Sequence, residues 1–259
     1  MAGIKSPILW RVYRVYERRL AKAVKASAVP GHVAIIMDGN RRFAEELGLD
    51  HGKGHQEGRN KLEELLGWCL ELGIKNLTVY AFSTENFART GDEIKTLMSL
   101  FERSFRDVGD DKRVHEHGIR VRVLGQRELL PDEVQKAIAY AEERTAKYTN
   151  YGFNVCVAYG GREEILNGIR AVAAKVKSGE LHIDKIDERV FSQHLYTADL
   201  PDPDLILRTS GEERISNFLL WQLAYSELYF TDVYWPGIRK IDFLRAIRSY
   251  QQRKRRLGA

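Results

Sequence analysis

The chain has 259 residues, a hydrophobic fraction of 44% and a formal net charge of +5, which favours anionic partners such as phosphates, acidic lipids or nucleic acid. Its two cysteines are too few for a disulfide framework or a cysteine-based metal site, so a cytoplasmic protein is expected. No apolar run approaches the ~20 residues that span a bilayer, and Arg11 and Arg14 interrupt the early apolar stretch before it can serve as a signal-peptide core.

The predicted elements alternate between helices and strands. Strands of this kind, separated by helices, imply right-handed crossovers and a mainly parallel sheet with helices on both faces. We therefore expect an N-terminal amphipathic helix within 1–29 and one α/β domain over 30–259. In chain order the pattern predicts a helix at 9–24, a strand at 33–37, a helix at 54–72, a strand at 77–82, a helix at 92–115, a strand at 119–124, a helix at 132–147, a strand at 153–158, helices at 162–177 and 191–196, strands at 204–208 and 228–235, and a helix at 242–256.

Residues 32–42 carry the most informative pattern. A buried strand runs into Asp38, a tight turn, and Arg41 and Arg42 at the start of a helix. Open α/β sheets bind ligands at the carboxyl ends of their strands. One carboxylate for a hard cation beside two arginines and a helix start fits a magnesium diphosphate. An ordinary strand followed by a turn explains the same segment without function.

Two later strand ends repeat this pattern. Residues 78–89 end a strand with hydroxyls, a carboxylate, an amide and Arg89, although a capped helix start explains them too. Residues 204–217 end a strand at Arg208, and a loop of small residues follows with Arg214 and Ser216. Two arginines flanking such a loop form a diphosphate clamp. Three such ends at one edge of a sheet favour a functional interpretation over three separate structural ones.

Residues 32–42, 80–89 and 208–217, followed by 218–230, closely resemble the cis-prenyltransferases of the undecaprenyl diphosphate synthase type. The similarity covers roughly Pro30 to the end. It implies a six-stranded, mostly parallel sheet surrounded by helices, usually a homodimer, and an enzyme that extends an allylic diphosphate with isopentenyl diphosphate units and Mg²⁺. The product of such an enzyme is a long polyprenyl diphosphate, the precursor of a glycosyl carrier lipid.

The resemblance also assigns roles to residues. It places Asp38 on the Mg²⁺ that holds the diphosphates and Glu227 as a further metal ligand, from this chain or across a dimer interface. The allylic diphosphate site would comprise Gly39, Asn40, Arg41, Arg42, Phe43, His51 and His55. The isopentenyl diphosphate site would comprise Arg208, Arg214, Ile215 and Ser216. The residues lining the gap between the two substrates would be Ser83, Thr84, Glu85, Asn86, Phe87 and Arg89.

Three of these roles stay open on chemical grounds. Members of the family are often described with the Asn86 equivalent as proton acceptor, but a neutral amide is a poor base. We expect Asn86 to orient the alkene while a diphosphate oxygen or Asp38 takes the proton. His51 and His55 are equally explained by a solvated turn, and no third ligand nearby supports a histidine metal pair. The Gly-rich stretch around them lacks the Gly-Lys-Ser/Thr ending of an NTPase phosphate loop.

The chain departs from the better-known bacterial pattern at four positions. Arg41 stands where those enzymes have Gly, His51 where they have Arg, and Ser210 where the loop reads Gly-Gly. The first two departures exchange a phosphate-binding charge between neighbouring positions and make the roles of Arg41 and His51 less secure. Phe87 replaces a Trp and preserves an aromatic wall. Archaeal members, several of which use a geranylgeranyl starter, resemble this pattern more closely.

Three other classes of protein share some of these features. An all-trans prenyl synthase needs two DDxxD motifs, whereas Asp110 and Asp111 are followed by Lys112 and Arg113. A non-catalytic subunit of a heteromeric cis-prenyltransferase is the main alternative, but such a subunit should have lost parts of the diphosphate site. A nucleic-acid binder rests on charge alone, because no recognition motif appears.

The N-terminal helix lies outside the resemblance. Its apolar residues fall on one helical face and its basic residues on another, which is typical of a helix on an anionic membrane surface. A helix packed on its own domain or on a dimer mate explains the pattern equally well. The apolar face comprises Leu9, Val12, Tyr13, Tyr16, Leu20 and Val24, and the basic residues are Arg11, Arg14, Arg18, Lys22 and Lys25. Trp10 and a basic tail at 253–256 could add membrane affinity.

Overall fold

The computed structural model describes residues 7–253, with side chains from residue 11 onward. Over this range six strands form one sheet: β1 (His32–Ile36), β2 (Asn76–Ser83), β3 (Ile119–Leu124), β4 (Tyr151–Tyr159), β5 (Leu205–Arg208) and β6 (Glu227–Phe230). Their order across the sheet is β3-β4-β2-β1-β5-β6, and all of the pairings are parallel. The six-stranded sheet predicted from the sequence is thus confirmed.

Helices cover both faces of the sheet. Val33 and Ile35 of β1 belong to the larger buried cluster, whereas Ala34 and Ile36 belong to the smaller one with Phe218. Adjacent side chains of a strand point to opposite faces, so this strand is buried on both sides. The helices are α1 (Pro7–Lys25), α2 (Asn40–Glu46), α3 (His51–Leu72), α4 (Gly91–Asp110), α5 (Lys112–His117), α6 (Asp132–Thr145), α7 (Gly161–Ser178), α8 (Glu188–Ser192) and α9 (Lys240–Gln252).

The single helix predicted at 92–115 is two helices in the structure, α4 and α5. The pattern over 92–115 breaks at Asp111, whose backbone is extended and whose carboxylate accepts a hydrogen bond from the Arg113 amide at 2.7 Å. This side chain starts α5 as an N-cap, so the apolar periodicity continues although the helix does not.

Other predicted boundaries shift where caps and packing decide them. The last strand ends at Phe230 rather than 235, because the chain beyond it bonds to the loop after β5: the Val233 carbonyl accepts from the Ser210 amide at 2.9 Å. Trp235 is fully buried, and its indole N–H donates to the Gly58 carbonyl at 2.8 Å. The helix predicted at 191–196 occupies Glu188–Ser192 and begins after the capping residue Asp187. The last helix ends at Gln252, and residues 254–256 of that prediction and of the basic tail lie outside the described residues.

Helix α1 uses its apolar residues in two ways. Val24 is fully buried, and its carbonyl accepts a hydrogen bond from Gln251 of α9 at 2.8 Å. Val12 remains 60% exposed, as Tyr16 is by almost half. The C-terminal half therefore packs on the domain. Nearer the N-terminus Tyr13 is half-buried, with the Arg239 guanidinium 5.5 Å from its ring, whereas Val12 and Val15 face outward. The side chains of Leu9 and Trp10 lie outside the described set. Among the described helices, none is long and apolar enough to cross a membrane.

Candidate active site

Asp38 lies just past the carboxyl end of β1, between two arginines from different elements. Its carboxylate accepts hydrogen bonds from Arg42 of α2 at 3.1 Å and from Arg208 at the end of β5 at 2.8 Å. Ile36 and Arg208 are partners in the register of the two strands. The parallel sheet thus brings the first and third predicted segments together, as expected from the sequence.

The surroundings of Asp38 keep it ionised. Burial raises the pKa of this carboxyl, but hydrogen bonds from Arg208 and Ser210 and the charges of Arg208 and Arg42 outweigh it and hold the pKa below the ordinary value of 3.8. The carboxylate is therefore a permanent negative charge at neutral pH, inside a positive environment.

Arg208 organises the loop that follows β5. Its guanidinium is only 4% exposed and donates to the Arg214 carbonyl and, at 2.8 Å, to the Ser216 hydroxyl. Ser210 and Ser216 both have positive φ angles, at 80° and 47°, which L-residues rarely adopt. Such backbone strain persists where the surrounding contacts fix it and is common at ligand sites.

Arg214 lies at the solvent-exposed rim of the loop that Arg208 organises. Its side chain is 63% exposed and pairs with Glu212, which Arg42 also contacts at 3.2 Å. A buried arginine that anchors the loop and an exposed one at its rim suit an anion that arrives from solvent.

A polar cavity of about 280 Å³ opens beside Asp38. On its far side Arg41, Arg89 and His55 surround Glu93, at 3.9, 3.0 and 3.3 Å. Burial lowers the pKa of His55, so its imidazole is neutral at neutral pH and donates or accepts a hydrogen bond rather than adding charge. The cavity lining is Met37, Asp38, Gly39, Asn40, Arg41, Arg42, Glu45, His55 and Arg89.

The second predicted segment joins the site through the end of β2. Asn86 accepts a hydrogen bond from the Ser83 amide at 3.0 Å, which fixes its carbonyl oxygen. Glu85 accepts from the Asn217 amide group at 3.1 Å. Since Asn217 follows Ser216 in the loop after β5, this contact links the second and third segments. Thr84 lies beside Glu85, with its hydroxyl 3.4 Å from that carboxylate.

An apolar cavity adjoins the polar one. It has a volume of about 140 Å³ and lies between α3, α4 and the sheet. Met37, Asn40 and His55 line both cavities, so the charged site opens directly into hydrocarbon-like surroundings. This combination suits a substrate with a charged head and an apolar tail.

Glycine permits the close packing of the turn after Asp38. Gly39 has φ of 105°, and a side-chain carbon there would lie 2.8 Å from the ring of Tyr234. The position therefore requires glycine on both conformational and steric grounds.

Glu227 is not where a single-chain metal site would need it. It begins β6 and pairs in register with Leu205, whereas Asp38 lies past the other end of these strands. Its carboxylate pairs with Arg253 at 2.6 Å. The parallel sheet thus places Glu227 and Asp38 of one chain at opposite ends of the strands. Glu227 was expected from this chain or across a dimer interface, and its part in a metal site stays a prediction for which only the second source fits this placement.

Several other predicted residues lie around the site without lining the polar cavity. His51 pairs with Glu45, which lines that cavity, at 3.0 Å. Phe87 stacks edge-on against the buried Phe82, with ring centroids 4.9 Å apart. Phe43 and Ile215 are half-buried, and neither lines either of the two cavities.

Glu93, Glu212 and Thr209 are further parts of the site that no motif in the sequence indicated. Glu93 lies in the first turn of α4, where an acid is ordinarily explained by the helix dipole. Thr209 accepts from the Asp38 amide at 3.0 Å and donates to the Asp38 carbonyl at 2.7 Å, which fixes the Asp38 backbone. In the sequence, the position of Thr209 directly after Arg208 was the only feature that could have indicated this role.

Across residues 7–253, no group of three or more His, Cys, Asp or Glu side chains is arranged to hold a metal ion. Both cysteines are buried, and burial raises their thiol pKa values. The single carboxylate of Asp38 instead fits the usual magnesium arrangement, in which one or two carboxylates and the phosphates of a substrate share the ion.

Comparisons of sequence agree with this chemistry. Residues 36–258 match the family model described as "Putative undecaprenyl diphosphate synthase". A tritrans,polycis-undecaprenyl-diphosphate synthase (geranylgeranyl-diphosphate specific) from Pyrococcus horikoshii is 56% identical over 246 residues, which cover 95% of this chain and 93% of the relative. The enzyme of the same name from Methanocaldococcus jannaschii is 53% identical over 249 residues, which cover 95% and 89%.

Solved structures share the fold. Lavandulyl diphosphate synthase from Lavandula x intermedia, in complex with dimethylallyl diphosphate, is 40% identical with a TM-score of 0.84 and covers 89% of this chain and 99% of its own. A probable undecaprenyl diphosphate synthase from Campylobacter jejuni is 33% identical with a TM-score of 0.72, covering 90% and 100%. With the family model matched over most of its length, the chain belongs to the undecaprenyl diphosphate synthase family of cis-prenyltransferases.

Proposed function

We propose that this enzyme elongates geranylgeranyl diphosphate with isopentenyl diphosphate, with Mg²⁺, to an undecaprenyl-length product that serves as precursor of a glycosyl carrier lipid. The observation that carries the proposal is Asp38 between Arg42 and Arg208, where a polar cavity opens into an apolar one. The starter is inferred from the geranylgeranyl diphosphate specificity for which the relatives from Pyrococcus horikoshii and Methanocaldococcus jannaschii are named.

The polar cavity takes the allylic diphosphate. Arg41, Arg42 and Arg89 supply positive charge, and His55 supplies a hydrogen bond. These groups stabilise the charge that grows on the leaving diphosphate, which is where the reaction needs most help. The prenyl tail passes Met37 and Asn40 into the apolar cavity.

The isopentenyl diphosphate binds at the loop after β5, held by Arg208, Arg214 and Ser216. Its alkene carbon attacks C1 of the allylic substrate, the C1–O bond breaks, and a proton leaves C2 of the isopentenyl unit. Because its pKa is low, Asp38 is a poor acceptor for that proton, so a diphosphate oxygen takes it. Asn86 orients the alkene, since its carbonyl oxygen is already engaged by the Ser83 amide.

Asp38 would hold Mg²⁺ together with diphosphate oxygens. A magnesium ion there supplies Lewis-acid stabilisation of the leaving diphosphate. In the described structure both oxygens of Asp38 are paired with arginine. We infer that these arginines turn to the diphosphates as they arrive and so free the carboxylate.

The starter is tested by incubating the purified protein with labelled isopentenyl diphosphate, Mg²⁺ and either geranyl, farnesyl or geranylgeranyl diphosphate. We expect the highest kcat/KM with geranylgeranyl diphosphate. Equal or better use of farnesyl diphosphate would refute the starter, and no elongation with any of the three would favour the non-catalytic subunit.

Replacing Arg214 with Ala should mainly raise the KM for isopentenyl diphosphate, because the lost guanidinium is solvent-exposed and grips only that substrate. Steady-state kinetics with each substrate varied in turn make the measurement. Arg170→Ala is the matched control, because Arg170 is also exposed and donates to Asn167 of its own helix α7. An increase confined to the KM of the allylic substrate would show that the two pockets are reversed.

We propose that the enzyme is cytoplasmic, with α1 in contact with the membrane surface. Val12, Val15 and Tyr16 are exposed on α1 among basic residues, while Val24 anchors the helix to the domain. A helix held at one end and apolar outward at the other suits an anionic bilayer that receives a lipid product.

The double variant Val12→Asp/Val15→Asp should lose binding to vesicles that contain anionic lipid, since it removes apolar contact and adds repulsion. Wild-type binding should fall with salt, because each basic residue near the surface contributes about 1 kcal/mol that ions screen. Co-sedimentation measures both effects. Leu166→Asp/Ile169→Asp on α7 is the control, as both residues are 49% exposed. Unchanged binding of the α1 variant would contradict the proposal.

We also propose a homodimer. The residues of the edge strand β6 are all half-exposed, including Glu227. If Glu227 contributes to a metal site, a second copy must bring it there. Sedimentation velocity of the intact protein tests the assembly, and a monomer at assay concentration would refute it.

A further inference from the structure

The loop after β5 rests on the first turn of α7 through Asn217. The Asn217 carbonyl accepts a hydrogen bond from the Gly161 amide at 2.7 Å, and its side-chain oxygen accepts one from the Arg162 amide at 2.9 Å. The first amides of a helix have no partner within that helix, and the N-cap residue Gly160 has no side chain to supply one. Asn217 therefore caps α7 from a distant part of the chain.

The side-chain nitrogen of Asn217 binds two carboxylates. It donates to Glu85, in the turn that follows β2, at 3.1 Å and to Glu163, in the first turn of α7, at 3.5 Å. Burial raises the pKa of the Glu85 carboxyl, but hydrogen bonds from its own backbone amide, from Ser83 and from Asn217 hold that pKa below its ordinary value of 4.5. One side chain thus joins an ionised carboxylate beside the substrates to the start of α7.

Two glycines let these segments meet at the same turn of α7. A side-chain carbon at Gly160 would lie 2.9 Å from the Asn217 side-chain nitrogen and 3.0 Å from the Thr84 hydroxyl. One at Gly161 would lie 3.0 Å from the Asn217 carbonyl and 2.7 Å from Leu220. Such distances are too short for a carbon atom, so the absence of side chains here permits the close approach of both segments.

The backbone at Asn217 is left-handed, with a φ angle of 63°. Asparagine adopts this conformation more readily than most residues other than glycine. Ser216 comes directly before it, also with positive φ, and its hydroxyl accepts a hydrogen bond from Arg208 at 2.8 Å. A shift of Asn217 therefore carries Ser216 with it.

We propose that Asn217 is a positioning residue, which fixes the distance between Ser216 and the turn at 84–88 by joining both to the first turn of α7. This inference rests on the proposed function, which places isopentenyl diphosphate at Ser216 and its alkene beside Asn86. Bond formation needs the two reacting carbons about 3–3.5 Å apart. A small shift between the two segments should therefore slow the chemical step.

Replacing Asn217 with Gly removes the side chain and permits the same backbone conformation. We expect kcat at saturating substrates to fall about 10- to 100-fold, because a misplacement of about 1 Å can cost about 10²-fold. The KM for isopentenyl diphosphate should rise, and that for the allylic substrate should not change. Asn150→Gly is the matched control, because Asn150 makes a side-chain bond to the His117 carbonyl just before β4, at the other end of the sheet.

Asn217→Asp separates the capping of α7 from the positioning of Glu85. The introduced carboxylate still accepts from the Arg162 amide and suits a helix N-terminus, so the melting temperature should stay near that of the wild type. It cannot donate to Glu85 or Glu163 and repels both, so kcat should fall. Adding Glu85→Gln exchanges donor and acceptor between the two positions. We expect kcat of this double variant to return toward that of Glu85→Gln alone, a rescue that a merely structural role would not produce.

Near-normal kcat in either single variant of Asn217, or an equal loss in Asn150→Gly, would overturn the positioning role. So would losses that simply multiply when Asn217→Asp and Glu85→Gln are combined. If the wild type elongates no starter, the proposed function itself fails. If the wild type elongates and the Asn217 variants lose activity only together with their melting temperature, Asn217 is structural and the positioning role alone is rejected.

Discussion

Replacing Asp38 with Ala should lower turnover by about 10²–10³-fold or more, the scale seen when one stabiliser of developing charge is removed. Among the described residues, Asp38 is the only one whose carboxylate both lines the diphosphate cavity and accepts a hydrogen bond from Arg208. Its loss leaves Arg208 and Arg42 without their shared partner and removes the protein oxygen that would hold Mg²⁺. The measurement is kcat at saturating concentrations of both substrates and metal.

Asp38→Asn separates charge from shape. The amide keeps the volume of the side chain and one oxygen acceptor but cannot hold a cation with the same strength. We expect a loss of similar size, with a melting temperature close to that of the wild type. Near-normal turnover of either variant would contradict the assignment of the site.

Replacing Arg208 with Ala has the second large effect. The guanidinium is almost fully buried and donates to Asp38, Ser216 and the Arg214 carbonyl, so its removal releases the loop and leaves Asp38 without its closest cation. Truncating one partner of a buried, hydrogen-bonded charge pair costs about 2–5 kcal/mol. We expect kcat/KM for isopentenyl diphosphate to fall roughly 30-fold to several thousand-fold.

The pH profile gives this variant an independent readout. Arg208 is the main group that holds the pKa of Asp38 below its usual value, against the opposing effect of burial. Without Arg208 that pKa rises, so a higher pH is needed to keep the carboxylate ionised. The acid limb of kcat/KM should therefore shift to higher pH in Arg208→Lys or Arg208→Ala, and an unchanged limb would mean that ionised Asp38 is not required.

The sheet could be predicted from the sequence because each strand is a short apolar run, and because helical crossovers between parallel strands leave few possible topologies. The helix break at Asp111 was not accessible in the same way. Apolar periodicity continues through it, and only the contact of the Asp111 carboxylate with the Arg113 amide ends one helix and starts the next.

The site was predictable where strand ends carry the chemistry, as at Asp38 and Arg208. It was not predictable where contacts join distant elements. Glu93 reaches Arg41, His55 and Arg89 only after α4 folds across the start of α3. Glu227 directly precedes the strand predicted at 228–235 and begins β6, so strand direction places it at the end of the sheet opposite Asp38. Register and helix packing decide such positions, and local sequence patterns do not encode them.

We expect the single carboxylate of Asp38, which lies among arginines, to support metal-dependent elongation. This expectation is tested most directly by following incorporation of labelled isopentenyl diphosphate into extractable polyprenyl products, with geranylgeranyl diphosphate as starter. The wild type is assayed with Mg²⁺, after chelation, and after Mg²⁺ is restored. We predict long-chain products with Mg²⁺, none after chelation, and full recovery on restoration; elongation that continues undiminished without the metal would contradict the account.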